Sequence, residues 1–391
     1  MPKLNTRVVV LGGGYSGVMA ANRLTRHPDI DVTLVNPRAE FVERIRLHQL
    51  VAGNDNAVVD YATLLRDRIN FVVDGAARID AAARTVELTS GVTLHYDYLI
   101  YAVGSTGTVP AGVPGATEFA YPISELEQAH RLRDRLADVP KSAPTVIVGG
   151  GLTGIESAAE FAEAGRPVTL VTDVLGPSLG RTGRRSVAKR LARLRIGVLE
   201  GSKVARVTAD RVVLTDGREL PSAVTVWTAG FGVPGLAAAS GLATDELGRL
   251  VTDETLTSVD DPRIIAAGDA AAPSDLPFRM SCQAALPLGA QAANTALARI
   301  AGTDPTGVNQ AMFAQCISLG RHAGTVQLGH TDDSPTRFYA GGRTGALIKE
   351  QVCRQTLRWM RGEAAKPGSY TWVKGPDRHQ QLAAASEVAI P

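Results

Sequence analysis

Gly12, Gly14 and Gly17 stand directly after the apolar run Val8-Val9-Val10-Leu11, and Gly149, Gly151 and Gly154 stand directly after Thr145-Val146-Ile147-Val148. Both sets have G-x-G-x-x-G spacing. The chemistry this spacing allows is the binding of a pyrophosphate. The first glycine permits a tight turn, the second removes a Cβ from the path of the phosphates, and the third lets helix and strand pack closely. Tyr15-Ser16 and Leu152-Thr153 then open the helices whose positive N-termini would face the anion.

The elements around each set are those the chemistry needs. Ala20, Ala21 and Leu24 recur at helical spacing after the first set, and Ala158, Ala159, Phe161 and Ala162 after the second. Val32-Thr33-Leu34-Val35 and Val168-Thr169-Leu170-Val171 supply the next strands. Short, continuously apolar runs suit parallel strands buried on both faces. Two matches in full strand-turn-helix-strand context carry far more weight than one.

A ribose partner is expected at the end of each second strand. There the sequence offers Asn36, followed by Pro37, and Thr172, followed by Asp173. Asn36 can accept a hydrogen bond without charge. Asp173 suits the 2′-hydroxyl of NADH, whereas Arg181, Arg184 and Arg185 suit the 2′-phosphate of NADPH. Those arginines also read as a solvated helix face, because Lys189, Arg190, Arg193 and Arg195 continue the run. The nucleotide preference stays open at this point.

Two further apolar strands end in glycine turns, Tyr98–Tyr101 before Ala102-Val103-Gly104 and Val224–Trp227 before Ala229-Gly230. Each follows a hairpin signal, Ser90-Gly91 or Asp216-Gly217. A last strand leads to Gly268-Asp269, whose carboxylate would lie near the mouth of the first sheet and could accept hydrogen bonds from a polyol.

This order of five motifs resembles the two-dinucleotide-binding-domain flavoproteins of the pyridine nucleotide–disulfide oxidoreductase superfamily. Within that group it most resembles the type II NADH dehydrogenase-like branch. The resemblance covers residues 7 to 300. It implies an α/β fold with two Rossmann-like domains, FAD on the first and NADH or NADPH on the second, plus a small C-terminal domain. It implies spans of 1–112 and 245–325 for a discontinuous FAD domain, 113–244 for the NAD(P)H domain and 326–391 for a C-terminal interface segment. It also implies that Asp269 binds the ribityl chain and that Glu156 lies close to the nicotinamide.

Where disulfide reductases of the superfamily carry a cysteine pair, this chain has Phe41 to Gln49, without cysteine. Thiolate relay is therefore not expected, and Cys282 reads as packing. Direct hydride transfer from the nicotinamide to the flavin is expected instead. The reduced flavin needs positive potential, which a helix starting near Ser281 can supply, with Leu286 beside the cofactor and Pro287 tolerated in the opening turn. Gln283, Ala285 and Gly289 look similar to the quinone motif of the type II enzymes, while Cys282 and Pro287 depart from it. Arg44, Arg46 and His48 have two readings. They bind an anionic acceptor or supply a proton; alternatively, Arg44 contacts the FAD pyrophosphate and His48 is a satisfied core histidine.

A helix over Thr344 to Arg361 carries Leu347, Ile348, Val352, Leu357, Trp359 and Met360 among arginines. It suits an anionic membrane surface, or, as the favoured reading, packing on its own protein or a dimer partner. Net charge is +2 over 391 residues, which gives no ground for a nucleic-acid partner. Three widely spaced cysteines match neither disulfide nor zinc frameworks. No secretory or membrane-spanning stretch is evident, so a cytoplasmic protein, or one that only touches a membrane surface, is expected. The leading reading is an FAD-dependent NAD(P)H dehydrogenase that reduces a quinone, a small electron carrier or oxygen. A ferredoxin-type reductase and a low-turnover redox sensor are the alternatives.

Overall fold

The computed structural model describes residues 5–388; residues 1–4 and 389–391, the extremes of the first and last expected spans, lie outside the described residues. Two five-stranded parallel sheets organise the chain. The first has the order Ile264–Ala266, Tyr98–Tyr101, Thr6–Leu11, Ile30–Asn36, Asn70–Val73. The second has the order Ala120–Pro122, Val224–Trp227, Thr145–Val148, Val168–Val171, Gly197–Leu199. In both, the strand that leads into a glycine turn is central. Its neighbours run to either side, which creates the switch point where open α/β sheets bind ligands.

The central strands are apolar because both faces are covered. Val8, Val9, Val10 and Leu11 are each no more than 2% exposed. The first glycine turn feeds the helix Tyr15–Leu24, and the second feeds Leu152–Glu163. Both hairpin signals are realised, by Thr85–Leu88 with Thr93–His95 and by Arg211–Leu214 with Glu219–Pro221. The two sheets are joined by paired short strands, Thr106–Gly107 against Phe231–Gly232.

Helix Cys282–Ile300 packs on Tyr15–Leu24. Gly289 makes that approach possible, since a Cβ there would lie 2.2 Å from the Ser16 carbonyl oxygen. Pro287 falls in the second turn, not the opening turn the sequence suggested. Ser281 Oγ accepts from the Ala284 N–H at 3.2 Å and caps the helix where the sequence places its start, so with about 3.6 residues per turn Pro287 lies beyond the first turn.

A third, antiparallel sheet joins Ala314–Ser318, Gly324–Gly329 and Pro335–Gly341. A boundary at 325/326 would pass through this sheet, between residues of the strand Gly324–Gly329. Helix Gly342–Ala365 follows, two residues longer at its start and four at its end than the expected Thr344 to Arg361. It buries Gly345, Cys353, Thr356, Met360 and Glu363 against its own chain, while Leu347 and Trp359 stay exposed. A buried ion pair, Arg23 to Glu363 at 2.7 Å, ties it to helix Tyr15–Leu24. Among the described residues no helix is long and apolar enough to cross a membrane.

Candidate functional site

The two glycine turns have the same construction. Gly12 has φ of +99° and Gly149 of +117°, a region L-residues rarely adopt. A Cβ on Gly12 would lie 2.3 Å from the Ala102 carbonyl oxygen, and one on Gly149 2.6 Å from Thr228 Oγ1. Gly17 and Gly154 press on the carbonyls of Gly12 and Gly149, where a Cβ would sit at 1.8 and 1.9 Å. Gly14 and Gly151 differ. A Cβ on either meets no protein atom within 4 Å. The space beside them lies at a helix N-terminus without any side-chain cap. These residues fit two dinucleotides: four glycines make room for protein, and two leave room for something else.

The residues at the ends of the second strands hold the turns. The Gly13 N–H donates to Asn36 Oδ1 at 2.9 Å, and the Gly150 N–H donates to Thr172 Oγ1 at 3.0 Å. Asp173 is exposed beside Thr172, and Pro37 beside Asn36. Arg184 is committed to the carbonyls of Gly176, Leu179 and Pro177, whereas Arg181 and Arg185 are exposed.

Asp269 lies where the first sheet, the Gly104 turn and the long helix meet. Its Oδ2 accepts from Ser105 Oγ at 2.7 Å, and its Oδ1 accepts from the Ser281 N–H at 3.1 Å. Gly268 is pressed on Ser16, whose Oγ would be 2.1 Å from a Cβ. Arg44 donates to the carbonyls of Ser105 at 2.6 Å and Ser124 at 3.0 Å, beside Gly104. Gly230 abuts Thr108 in the paired connection between the sheets. Leu286 is buried with Tyr15, Val18 and Phe41, between the two packed helices. With its amide turned to satisfy both partners, Gln283 donates to the Ala314 carbonyl at 2.8 Å and accepts from the Phe313 N–H. It therefore joins the long helix to the C-terminal sheet.

Four segments converge on a buried charged cluster. Glu156 comes from helix Leu152–Glu163, and His48 from the short helix Leu47–Val51 packed against it. Lys349 comes from the C-terminal helix, and Ser318 ends a strand of the third sheet. Lys349 Nζ is 3.0 Å from Glu156 Oε1, and the Ser318 N–H donates to the same oxygen at 2.9 Å. His48 Nδ1 is 3.7 Å from Glu156 Oε2, too long for a hydrogen bond. Its Nε2 is buried with no partner. His48 is thus a core histidine that is not satisfied.

Burial sets the electrostatics of this cluster. It pushes the His48 imidazolium down to about 4, against the pull of Glu156. The same burial would raise Glu156, but Lys349, His48 and the Ser318 N–H hold it below the usual carboxylate range. Burial would strip Lys349 of its proton, but Glu156 keeps it charged well above neutral pH. The arrangement can hold a proton on Lys349 and a negative charge on Glu156 beside a neutral imidazole. Arg46 is bound nearby, to Gln49 and to Glu350, each at 3.1 Å. The Tyr15 hydroxyl is buried without a partner, and burial raises it.

All three cysteines are free. Burial pushes Cys282 up to about 12 and raises Cys316 and Cys353 too, so the thiolate is disfavoured at each. Cys282 packs in the same apolar cluster as Phe41 and Ile45.

Sequence reasoning missed Lys349, Ser105 and Ser318. Lys349 had a signal: it continues the buried register Gly345, Lys349, Cys353, where a solvated helix would keep lysine outside. Ser105 and Ser318 act through long-range contacts that no local spacing encodes.

The model of the pyridine nucleotide-disulphide oxidoreductase family matches residues 6–297. The chain is 30% identical over 315 residues to an NADH dehydrogenase-like protein of Mycobacterium tuberculosis, covering 73% of this chain and 78% of that one. It is 26% identical over 351 residues to a type II NADH:quinone oxidoreductase of the same organism, covering 78% and 75%. Its fold matches the NDH2 structure of Plasmodium falciparum in complex with NADH with a TM-score of 0.77, at 16% identity, over 94% and 99% of the two chains. With paired glycine turns at the switch points of two parallel sheets and these relatives, the chain belongs to the pyridine nucleotide-disulphide oxidoreductase family and is an NAD(P)H oxidoreductase of its NADH dehydrogenase-like group.

Proposed function

We propose that the protein is an FAD-dependent NAD(P)H dehydrogenase that delivers electrons to a quinone-type acceptor without a cysteine relay. The observation that carries this reading is the open space beside Gly14 and Gly151, set among glycines that are otherwise tightly packed. The first turn would hold FAD, with Asp269 accepting from its polyol chain. The second would hold NADH or NADPH, with Thr172 and Asp173 at the ribose. Bound FAD supplies two-electron chemistry, taking hydride from the nicotinamide and passing electrons to the acceptor.

The remaining steps are those of this chain's own groups. The Ser281 end of the long helix supplies positive potential. Glu156 orients the nicotinamide side of the site, and Lys349 keeps Glu156 ionised. His48, neutral and with Nε2 unbonded, holds a proton-accepting position. The raised thiols support a route that bypasses cysteine. In this reading the FAD unit comprises 1–112 and 245–313, and the NAD(P)H unit 113–244. The likeness to a type II NADH:quinone oxidoreductase favours quinone over oxygen or a small carrier.

The test is anaerobic oxidation of NADH and NADPH coupled to a short-chain soluble quinone, for the natural protein and for Cys282→Ala/Cys316→Ala/Cys353→Ala. Turnover that survives the triple substitution within about threefold is expected, a change under about 0.7 kcal/mol in barrier. Turnover lost with the thiols, while flavin stays bound, would restore a cysteine relay.

A further inference from the structure

A second cavity of about 260 Å³ lies away from the glycine turns, between helix Arg181–Arg193 and the start of helix Gly342–Ala365. Lys189, Arg190, Arg193, His322, Tyr339 and Arg343 contribute to its lining, and no carboxylate does. Arg190 is already satisfied by Glu163 at 2.8 Å and by the Leu319 carbonyl at 3.1 Å. Lys189, Arg193, His322 and Arg343 make no hydrogen bond or ion pair through their side chains with any of the described residues. Three exposed cations without a carboxylate partner share one small concavity.

Arg343 adds to the imbalance. It sits in the first turn of a 24-residue helix that has no acidic residue there and no side-chain cap. The helix dipole disfavours a cation at that end and favours an anion. Glu163, the last residue of helix Leu152–Glu163, marks the distance from the other site. The pyrophosphate position is at the first residue of the same helix, about 16 Å away at 1.5 Å per residue. At about 30 Å³ per water, the cavity has room for a phosphoryl group and the alcohol attached to it.

We propose that this cavity binds a phosphoryl-bearing anion, held by Lys189, Arg193 and Arg343 at the helix N-terminus, with the Tyr339 hydroxyl as a further donor. Its source is either a soluble phosphoester or the headgroup of an anionic lipid. Leu347, one turn beyond Arg343 and 67% exposed, would meet the apolar part of a lipid.

The test uses the full chain with FAD bound and NAD⁺ saturating, so that the glycine turns cannot take the probe. Inorganic pyrophosphate is titrated by calorimetry, and co-sedimentation is measured with phosphatidylcholine vesicles with and without phosphatidylglycerol. Lys189→Gln/Arg193→Gln/Arg343→Gln should bind at least 10-fold more weakly than the natural protein, and the single Arg343→Gln at least threefold. Binding should weaken with salt, while flavin reduction by NADH is unchanged. Pyrophosphate binding without preference for anionic vesicles identifies a soluble phosphoester. Binding confined to anionic vesicles identifies a lipid headgroup. No binding of either probe, or equal binding by natural and substituted proteins, overturns the site. The single variant decides if the triple one does not fold.

Discussion

Replacing Lys349 with Met removes the cation 3.0 Å from Glu156 and leaves a buried carboxylate without its counter-ion. Removing one partner of a buried pair typically costs about 3–5 kcal/mol. Glu156 has an escape, which is to take up a proton. From an ordinary value of 4.5, protonation at pH 7 costs about 2.5 units at 1.36 kcal/mol each, or about 3.4 kcal/mol. That caps the penalty. The cap falls to about 1.4 kcal/mol at pH 5.5. The sign therefore reverses between the two proteins. In the natural protein the lowered Glu156 contributes stability above pH 4.5 that is lost on acidification. In Lys349→Met the raised Glu156 binds more protons folded than unfolded, so stability falls as pH rises. Urea unfolding followed by tryptophan fluorescence at pH 7.0 and 5.5 should show a deficit of about 3 kcal/mol that roughly halves. Adding Glu156→Gln should recover most of it. A deficit under about 1 kcal/mol at pH 7, or one that does not shrink at pH 5.5, would refute the reasoning.

Three other substitutions probe the site. Gly151→Val places a side chain where no protein atom lies within 4 Å, on a backbone with φ of −69°. Stability should change by less than about 1 kcal/mol, while KM for the nucleotide rises at least about 10-fold in steady-state assays. Asp269→Ala should lower the flavin content of purified protein, read as the ratio of 450 to 280 nm absorbance, and full occupancy would remove the polyol role. His48, held near 4 when folded against an ordinary 6.5, binds its proton later than the unfolded chain. Stability should fall by up to about 3 kcal/mol between pH 6.5 and pH 4. His48→Leu should flatten that part of the pH–stability curve.

Much of the architecture could be read locally. Continuous apolar runs before glycine turns gave both central strands, and G-x-G-x-x-G spacing located both helix starts. The hairpins at Ser90-Gly91 and Asp216-Gly217 were equally plain, because two-residue turn signals depend on their own backbone alone. Pro287 reads as an opening-turn proline, but from a start at Cys282 a turn of about 3.6 residues puts it in the second. That Ala314–Ser318 pairs with Gly324–Gly329, across the expected boundary at 325/326, was not legible, because pairing across a sheet is not a local property. In the sequence His48 reads either as a satisfied core residue or as a functional one. Only the packing of Leu47–Val51 on helix Leu152–Glu163 puts it 3.7 Å from Glu156 with a bare Nε2. Lys349 reads as surface among its neighbouring arginines unless the register Gly345, Lys349, Cys353 is followed, which puts it on the buried side of the helix.

The central claim is hydride transfer from a nicotinamide held at Gly151 to a flavin held at Gly14. Anaerobic stopped-flow mixing of the FAD-loaded protein with NADH and, separately, NADPH follows it at the flavin absorbance near 450 nm, a wavelength roughly fixed by the cofactor itself. Fast bleaching by at least one nucleotide, slowed at limiting concentration by Gly151→Val, is the predicted result. Bound flavin that neither nucleotide bleaches would contradict it.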